Sequence, residues 1–513
     1  VTGIEVNTKK LPSEWIRVKL SQIANILYGQ GLPQSKFTEN GFPVFGANGI
    51  IGYYDEYLYE NEKLLISCRG ANSGKINISP KRCYITNNSL IVDFPVYEEQ
   101  FRKIFFYALQ LADKSNLVSG SAQPQVTINN AVELDIPLPP FHEQRQIVYC
   151  IEELFSELDS GIESLKKARE LLKTYRQAVL KHAFEGKLTQ EWRARQATAG
   201  SPPEPAENLI ERIRKEREAH DKQQLEAWEK ECEQAKAEGK KKPAKPKKPK
   251  DLPQLTEEEL AELPDLPEGW KWSYLSYFGW WTGGGTPAKK KKEYWVNGSI
   301  PWISPKDMKG QYIKSAKDKI TSTAVSESSA KFVEKGSVLF VVRSGILRRI
   351  LPVSITTELS AVNQDLQAFT PYLVLPEYIY WYTVCNEFYI RHSCAKSGTT
   401  VESIETTSLK NYRVPLSPIE EQKAIVAEIE SRLSVCDQLE QSIEDSLEKA
   451  ESLRQSILKK AFSGDLTQQW REENPELISG ENSAERLLER IQAEKKKAGE
   501  NGKNRAGKKK KTT

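Results

Sequence analysis

Apolar positions along this chain fall into two textures, and each texture occurs twice. Between residues 147 and 179, Ile147, Leu154, Gly161, Ala168 and Tyr175 recur every seven residues, while Ile151, Leu158, Leu165, Leu172 and Val179 fill the offset row. This is the a/d pattern by which one helix buries a stripe against another. A second stretch places Ile425, Arg432, Leu439, Ser446 and Leu453 on one row and Ile429, Cys436, Ile443, Ala450 and Ile457 on the other. Each stretch predicts a helix of roughly 40 residues, about 60 Å long. Pro139, Pro140 and Pro418 stand just before the starts, and Gly186 and Gly464 just after the ends, where such residues belong. Two helices with one apolar stripe each pair most simply with each other. Periodicity alone also permits a plain dimerising coiled coil.

The other texture is aromatic, glycine-rich and built of short β-type runs, as at residues 63–67, 89–92 and 337–342, with helical pieces at 96–112 and 376–391. Each such block predicts a compact α/β domain. A gap-free internal repeat orders the two textures. At a shift of 278, residues 137–193 align with 415–471, with 25 of 57 positions identical: PLPPFHEQRQIV matches PLSPIEEQKAIV, and RQAVLKHAFEGKLTQEWR matches RQSILKKAFSGDLTQQWR. A weaker echo at a shift of 255 places Leu11 to Trp15 (LPSEW) on Leu266 to Trp270 (LPEGW). The expected layout is a first domain at 1–140, a helical spacer at 141–217 and a charged Lys/Pro linker at 218–264. A second domain at 265–418, a second spacer at 419–495 and a basic, disordered tail at 496–513 follow. The fold class is therefore α/β: two mixed globular domains separated by two long helices, with an internal pseudo-two-fold repeat.

Charge changes this picture only locally. The net charge is +4, but residues 240–250 and 503–513 hold thirteen Lys and Arg and no acid, so the remaining chain is net acidic. Affinity of the folded part for nucleic acid must then come from patches. Alternating Lys and Pro at 240–250 suits an extended tether. Seven scattered Cys without a C-x-x-C pair, and four separate His, point away from a disulfide framework or zinc site and towards a reducing cytoplasm. No charged-then-apolar leader and no membrane-length apolar run is present, so no membrane partner is expected.

The chain carries near-matches to catalytic motifs but no complete one. Gly70-Ala-Asn-Ser-Gly74-Lys75 glances at a phosphate-binding loop, but three residues separate the glycines and Ile76 replaces the magnesium-binding hydroxyl. Asp265, Glu268 and Lys271 superficially resemble a nuclease cluster, yet the first copy of the repeat lacks the set. No adenine-methyltransferase loop, metal cluster or nucleophile–base pair is found, so the chain reads as a non-enzyme.

The repeated frame, IPLPP-x-x-EQ followed by a heptad helix ending in RQAVL-K-x-AF-x-G-x-LT-x-x-W, resembles the specificity subunits of Type I restriction-modification systems. The opening L-P-x-x-W, the Phe42 to Gly46 and Asn48 to Tyr54 segments, and Ile300 to Ile303, Lys335-Gly336 and Asn363-Gln364 in the second block resemble the same family. The resemblance implies two target-recognition domains, each reading half of a split double-stranded DNA site, held apart by antiparallel helices. It also implies docking of two methylation subunits, carrying S-adenosylmethionine, and of two restriction subunits using ATP and Mg, with no cofactor on this chain. The long charged insertion at 218–264 departs from the pattern. A scaffold whose globular blocks bind protein or RNA is the alternative.

Arginine reads guanine, Asn and Gln read adenine, and hydroxyls, Lys and backbone amides hold phosphates. In the first block the polar loop candidates for DNA contact are Gln30, Asn48, Arg69, Asn72, Ser73, Lys75, Gln123 and Gln125. In the second they are Thr286, Lys306, Arg343, Ser344, Gln364, Ser397 and Thr399. Ile147, Ile151, Leu158, Leu165, Leu172, Ile425, Ile429, Leu439, Ile443 and Leu453 are the expected helix seam. Lysine and arginine outnumber acids clearly in the second block, including Lys289 to Lys292, so its isolated domain is expected to bind DNA more tightly.

Overall fold

The computed structural model describes residues 11–114, 117–119, 124–200, 203–239, 242, 245–246, 254–396 and 401–509. It divides into two compact units, Val1–Lys167 with Ile443–Thr513, and Ala168–Ser442. Among the described residues, six helices reach ten residues: α1 (Glu98–Leu111), α2 (Phe141–Phe184), α3 (Ala206–Ala237), α4 (Pro376–Cys385), α5 (Ile419–Phe462) and α6 (Ala484–Lys509). The 44-residue helices α2 and α5 run through the division. Each unit thus owns the start of one long helix and the end of the other.

In the first unit, an antiparallel sheet orders strands Asn25–Tyr28, Ser89–Asp93, Leu64–Ser67 and Ile76–Ile78. A second sheet orders Ile50–Tyr54, Phe42–Phe45 and Tyr84–Ile85. The central strand Leu64–Ser67 is buried along its whole length, which explains why it reads as continuous rather than alternating apolar. Helix α1 covers the first sheet with Phe101, Ile104, Phe105 and Leu109. The second unit repeats the plan with more strands: Gly279–Gly283, Leu366–Pro371, Val338–Val341, Val353–Thr356 and Tyr312–Ile313 form one sheet. Asp318–Ile320, Ile300–Ile303, Ser360–Val362 and Phe332–Val333 form another. Each domain opens and closes through a two-stranded ribbon, Ile16–Lys19 against Asp135–Leu138 and Lys271–Tyr274 against Arg413–Leu416.

Within each unit the two long helices run antiparallel. Arg454 Nη2 meets Asp159, and its guanidinium lies 4.4 Å from the Phe155 ring, in the first unit. In the second, Arg176 bridges Asp437 at 2.6 Å and Glu440 at 3.0 Å. Ile147, Ile151, Ile425, Ile429 and Ile443 are buried, and Leu158, Leu165 and Leu172 are half-buried. Leu439 and Leu453, however, are 48% and 50% exposed, which corrects their placement in the seam. Gly161 and Tyr175 are exposed as well. The second seam row lies one residue later: Phe155, Ile162, Arg169 and Arg176 on α2, and Leu433, Glu440, Leu447 and Arg454 on α5, all buried or half-buried. Charged residues occupy this row, so an apolar count alone selects its neighbour.

The linker expected at 218–264 begins inside α3, which continues to Ala237, and includes a short helix Glu257–Ala261 capped by Thr256 and Glu259. His220 stacks on Trp280 at 4.4 Å and meets Tyr372, so the start of the insertion packs against the second domain. The basic tail expected to be disordered overlaps α6, which extends to Lys509.

Candidate nucleic-acid interface

Five loop segments meet at one end of the first unit's sheet. Gln30 N–H donates to Ile85 O at 2.9 Å and bridges Thr86. Gly29 lies so close that an added Cβ would sit 2.2 Å from Thr86 O. The hairpin tip carrying Asn48 is tied down by Ser89 Oγ donating to Gly46 O at 2.7 Å and by Ser67 Oγ donating to Ala47 O. Cys68 N–H donates to Asn88 O at 3.0 Å, and Val126 N–H to Cys68 O at 3.0 Å. These bonds bring Gln30, Asn48, Arg69, Asn72, Ser73, Lys75 and Gln125 to one end, and Arg69 forms a backbone bridge with Gln125. All are exposed except Ser73, whose hydroxyl donates to Gly70 O at 2.8 Å and to Pro124 O at 2.7 Å. Ser73 shapes the turn. Gln123 lies outside the described residues.

The second unit makes the same junction with different side chains. Gly284 is pressed against Asn363, whose carbonyl oxygen lies 1.7 Å from a Cβ placed there, matching Gly29 at the shift of 255. Val342 N–H donates to Asp365 O at 2.8 Å and Ile404 N–H to Val342 O at 2.8 Å, in the manner of Cys68, Asn88 and Val126. Arg343 bridges Ser403, as Arg69 bridges Gln125. Here Thr286 donates to Gln364 Oε1. Arg343 is held by Asp365 Oδ1 at 2.7 Å. Ser344 accepts from Ile346 N–H at 3.4 Å. Lys306, Arg343 and Gln364 are exposed. Nearby, Arg348 pairs with Glu402 and holds its carboxyl below the ordinary range. Lys289, Lys290 and Lys292 are exposed without an ion pair among the described residues, whereas Lys291 sits 2.8 Å from Tyr294 Oη and near Glu293. Ser397 and Thr399 lie outside the described residues.

What fastens each domain to its helices is a cluster absent from the expected site. Glu143, in the first turn of α2 and fully buried, accepts from Trp15 Nε1 at 2.7 Å, Thr467 Oγ1 at 2.6 Å and Arg471 Nη1 at 2.5 Å. In the second unit Glu421, in the first turn of α5 and fully buried, accepts from Trp270 Nε1 at 2.8 Å, Thr189 Oγ1 at 2.6 Å and Arg193 Nη1. The glutamine that follows locks the preceding turn: Gln144 donates to Pro139 O at 2.9 Å and Gln422 to Ser417 O at 2.8 Å. The signal was in view, because every member of both sets is a repeated residue of the LP-x-x-W, EQ and LT-x-x-W-R motifs. Among the described residues, no group of three or more His, Cys, Asp or Glu could hold a metal ion, and no helix is long and apolar enough to cross a membrane.

The family described as "Type I restriction modification DNA specificity domain" matches residues 12–168 and 267–449. The specificity subunit of the Type I restriction enzyme EcoDI of Escherichia coli is 25% identical over 499 residues, covering 96% of this chain and 97% of that one. The EcoR124I/EcoR124II specificity subunit of E. coli is 41% identical over 186 residues, covering 36% of this chain and 45% of that relative. In structure, the HsdS subunit from Thermoanaerobacter tengcongensis superimposes with a TM-score of 0.52 at 16% identity, over 90% of this chain and all of that one.

Proposed function

The chain belongs to the Type I restriction-modification DNA specificity family, as a non-catalytic specificity subunit, and from that premise we propose that each unit's loop end reads one half of a split DNA site. The carrying observation is the pair of equivalent junctions. The two loop ends rest on equivalent backbone junctions and share one exposed arginine, Arg69 or Arg343, but their other exposed candidates differ: Gln30, Asn48, Asn72, Lys75 and Gln125 at the first end, Lys306 and Gln364 at the second, as two different half-sites require.

The partners follow from the same reading: two methylation subunits with S-adenosylmethionine, and two restriction subunits with ATP and Mg, assembled in the cytoplasm. Co-expression with the methylation subunit, followed by mapping of modified adenines, should return one bipartite motif with a fixed gap. Replacing residues 11–137 should rewrite one half and leave the other. A continuous motif, or both halves changing together, overturns the proposal.

A further inference from the structure

We propose that Glu143 and Glu421 are positioning residues that fix the permitted gap between half-sites, by holding each recognition domain at one angle on the helices of its own unit. This rests on the bipartite reading above. Each carboxylate joins three separate chain segments: the ribbon that opens the domain, the start of one long helix and the turn beyond the end of the other. Trp15 and Trp270 stand beside the first residues of the ribbons, so their bonds to the carboxylates govern domain tilt directly.

A steric contact backs each carboxylate. Gly464 has φ +82°, and a Cβ there would lie 2.4 Å from Pro12 Cγ; Gly186 has φ +70°, with Pro267 Cγ at 2.3 Å. Arg471 and Arg193 also donate to the carbonyl oxygens of these glycines, at 2.8 Å and 2.7 Å. The proline ring, the glycine and the guanidinium therefore close around one pose. Both acidic oxygens are engaged by donors, so no second arrangement satisfies Trp, Thr and Arg together once the carboxylate is buried.

The geometric demand on such a joint is strict. Changing the gap by one base pair moves the half-sites by about 3.4 Å and rotates them by about 34°, since one helical turn of about 34–36 Å holds 10–10.5 base pairs. A domain loosened in tilt tolerates part of that rotation; a clamped domain does not. The two clamps use the same residue types, although the recognition loops do not. That is the pattern expected of a device for distance rather than for sequence.

The test uses the full chain co-expressed with its methylation subunit. Occupancy is read at sites with the normal gap and with gaps one base pair shorter or longer. Glu143→Gln places an amide donor against Trp and Arg donors, and Thr467→Val removes the hydroxyl's bonds to Glu143 and from Arg471 while keeping shape; Glu421→Gln and Thr189→Val do the same in the second unit. The expected result is at least a tenfold rise in the ratio of off-gap to normal-gap modification, with both half-site sequences unchanged. A purely structural role would lower modification at all gaps and leave that ratio alone. If the Gln variants fail to fold, the Val variants decide, and an unchanged ratio in the folded variants overturns the proposal. A wild-type protein with no bipartite motif would instead remove the reading beneath it, and the proposal with it.

Discussion

Cys68, Arg69 and Asn88 in the first unit occupy the same backbone positions as Val342, Arg343 and Asp365 in the second, yet their electrostatics differ. Both arginines follow a buried central strand and bridge the segment leading to the ribbon's return. Asp365 grips Arg343 through Nε and Nη2, each at 2.7 Å, and its other oxygen accepts from Asn363 Nδ2 at 3.1 Å. Asn88 carries no charge, and Arg69 has no carboxylate partner among the described residues. Arg69 thus stands without a carboxylate among the described residues, while Arg343 is already oriented and partly neutralised. Total charge alone therefore does not locate a binding residue: in the more basic second block, Asp365 already partly neutralises Arg343.

The sharpest way to break this comparison is to remove each arginine in turn from the full chain. Arg69→Ala should cost about 1–3 kcal/mol of binding, the range for a good bidentate base contact. It should relax the motif at one position of one half-site. Arg343→Ala should cost less, because part of the interaction with DNA replaces an existing bond to Asp365. Competition binding with matched and single-mismatch duplexes checks both, and a larger loss from Arg343→Ala would refute the asymmetry.

Exchanging the neighbours sharpens the same point with a smaller effect. Asn88→Asp should give Arg69 a carboxylate and weaken binding severalfold at the first half-site. Asp365→Asn should free Arg343 and tighten binding at the second by about the same factor, consistent with exposed ion pairs worth roughly 0.2–1 kcal/mol. Opposite signs are the outcome to look for. Two losses would mean that the carboxylate at Asp365 mainly supports its loop through Asn363.

Much of this architecture was legible in the chain because duplication supplies its own control. The repeat at 278 marks the helices, and the echo at 255 marks where each domain opens. The seam was legible only by half. The row Ile151, Leu158, Leu165, Leu172 and Val179 is apolar and lies inward, but its companion row contains Arg169, Arg176, Glu440 and Arg454. Arg176, Glu440 and Arg454 bury their stems and pair their charged ends, so their position depends on a partner that periodicity does not show. Leu439 and Leu453 fit the period and still face outward. The clamp glutamates are hard to read in the chain for a related reason. A Glu beside Gln at a helix start reads as ordinary capping until Trp, Thr and Arg from distant segments converge on it. Candidate readers such as Ser73 and Thr286 satisfied the chemistry by type but already serve Pro124 and Gln364.

The smallest expected effect concerns the lysines, where the two ends should agree. Lys75 and Lys306 are both exposed, and neither has a carboxylate partner among the described residues. A lysine near the duplex acts on phosphate, so Lys75→Ala and Lys306→Ala should each weaken binding alike on all sequences and lower the salt slope by about 1. Neither should alter base preference in either half-site. Measuring affinity between low and moderate salt, on specific and non-specific duplexes, separates this from the arginine effects, which depend on sequence. If Lys306→Ala changed the slope and Lys75→Ala did not, phosphate contact would be concentrated at the second end. The asymmetry would then reach beyond the arginine and its neighbour to the electrostatic footprint of the whole domain.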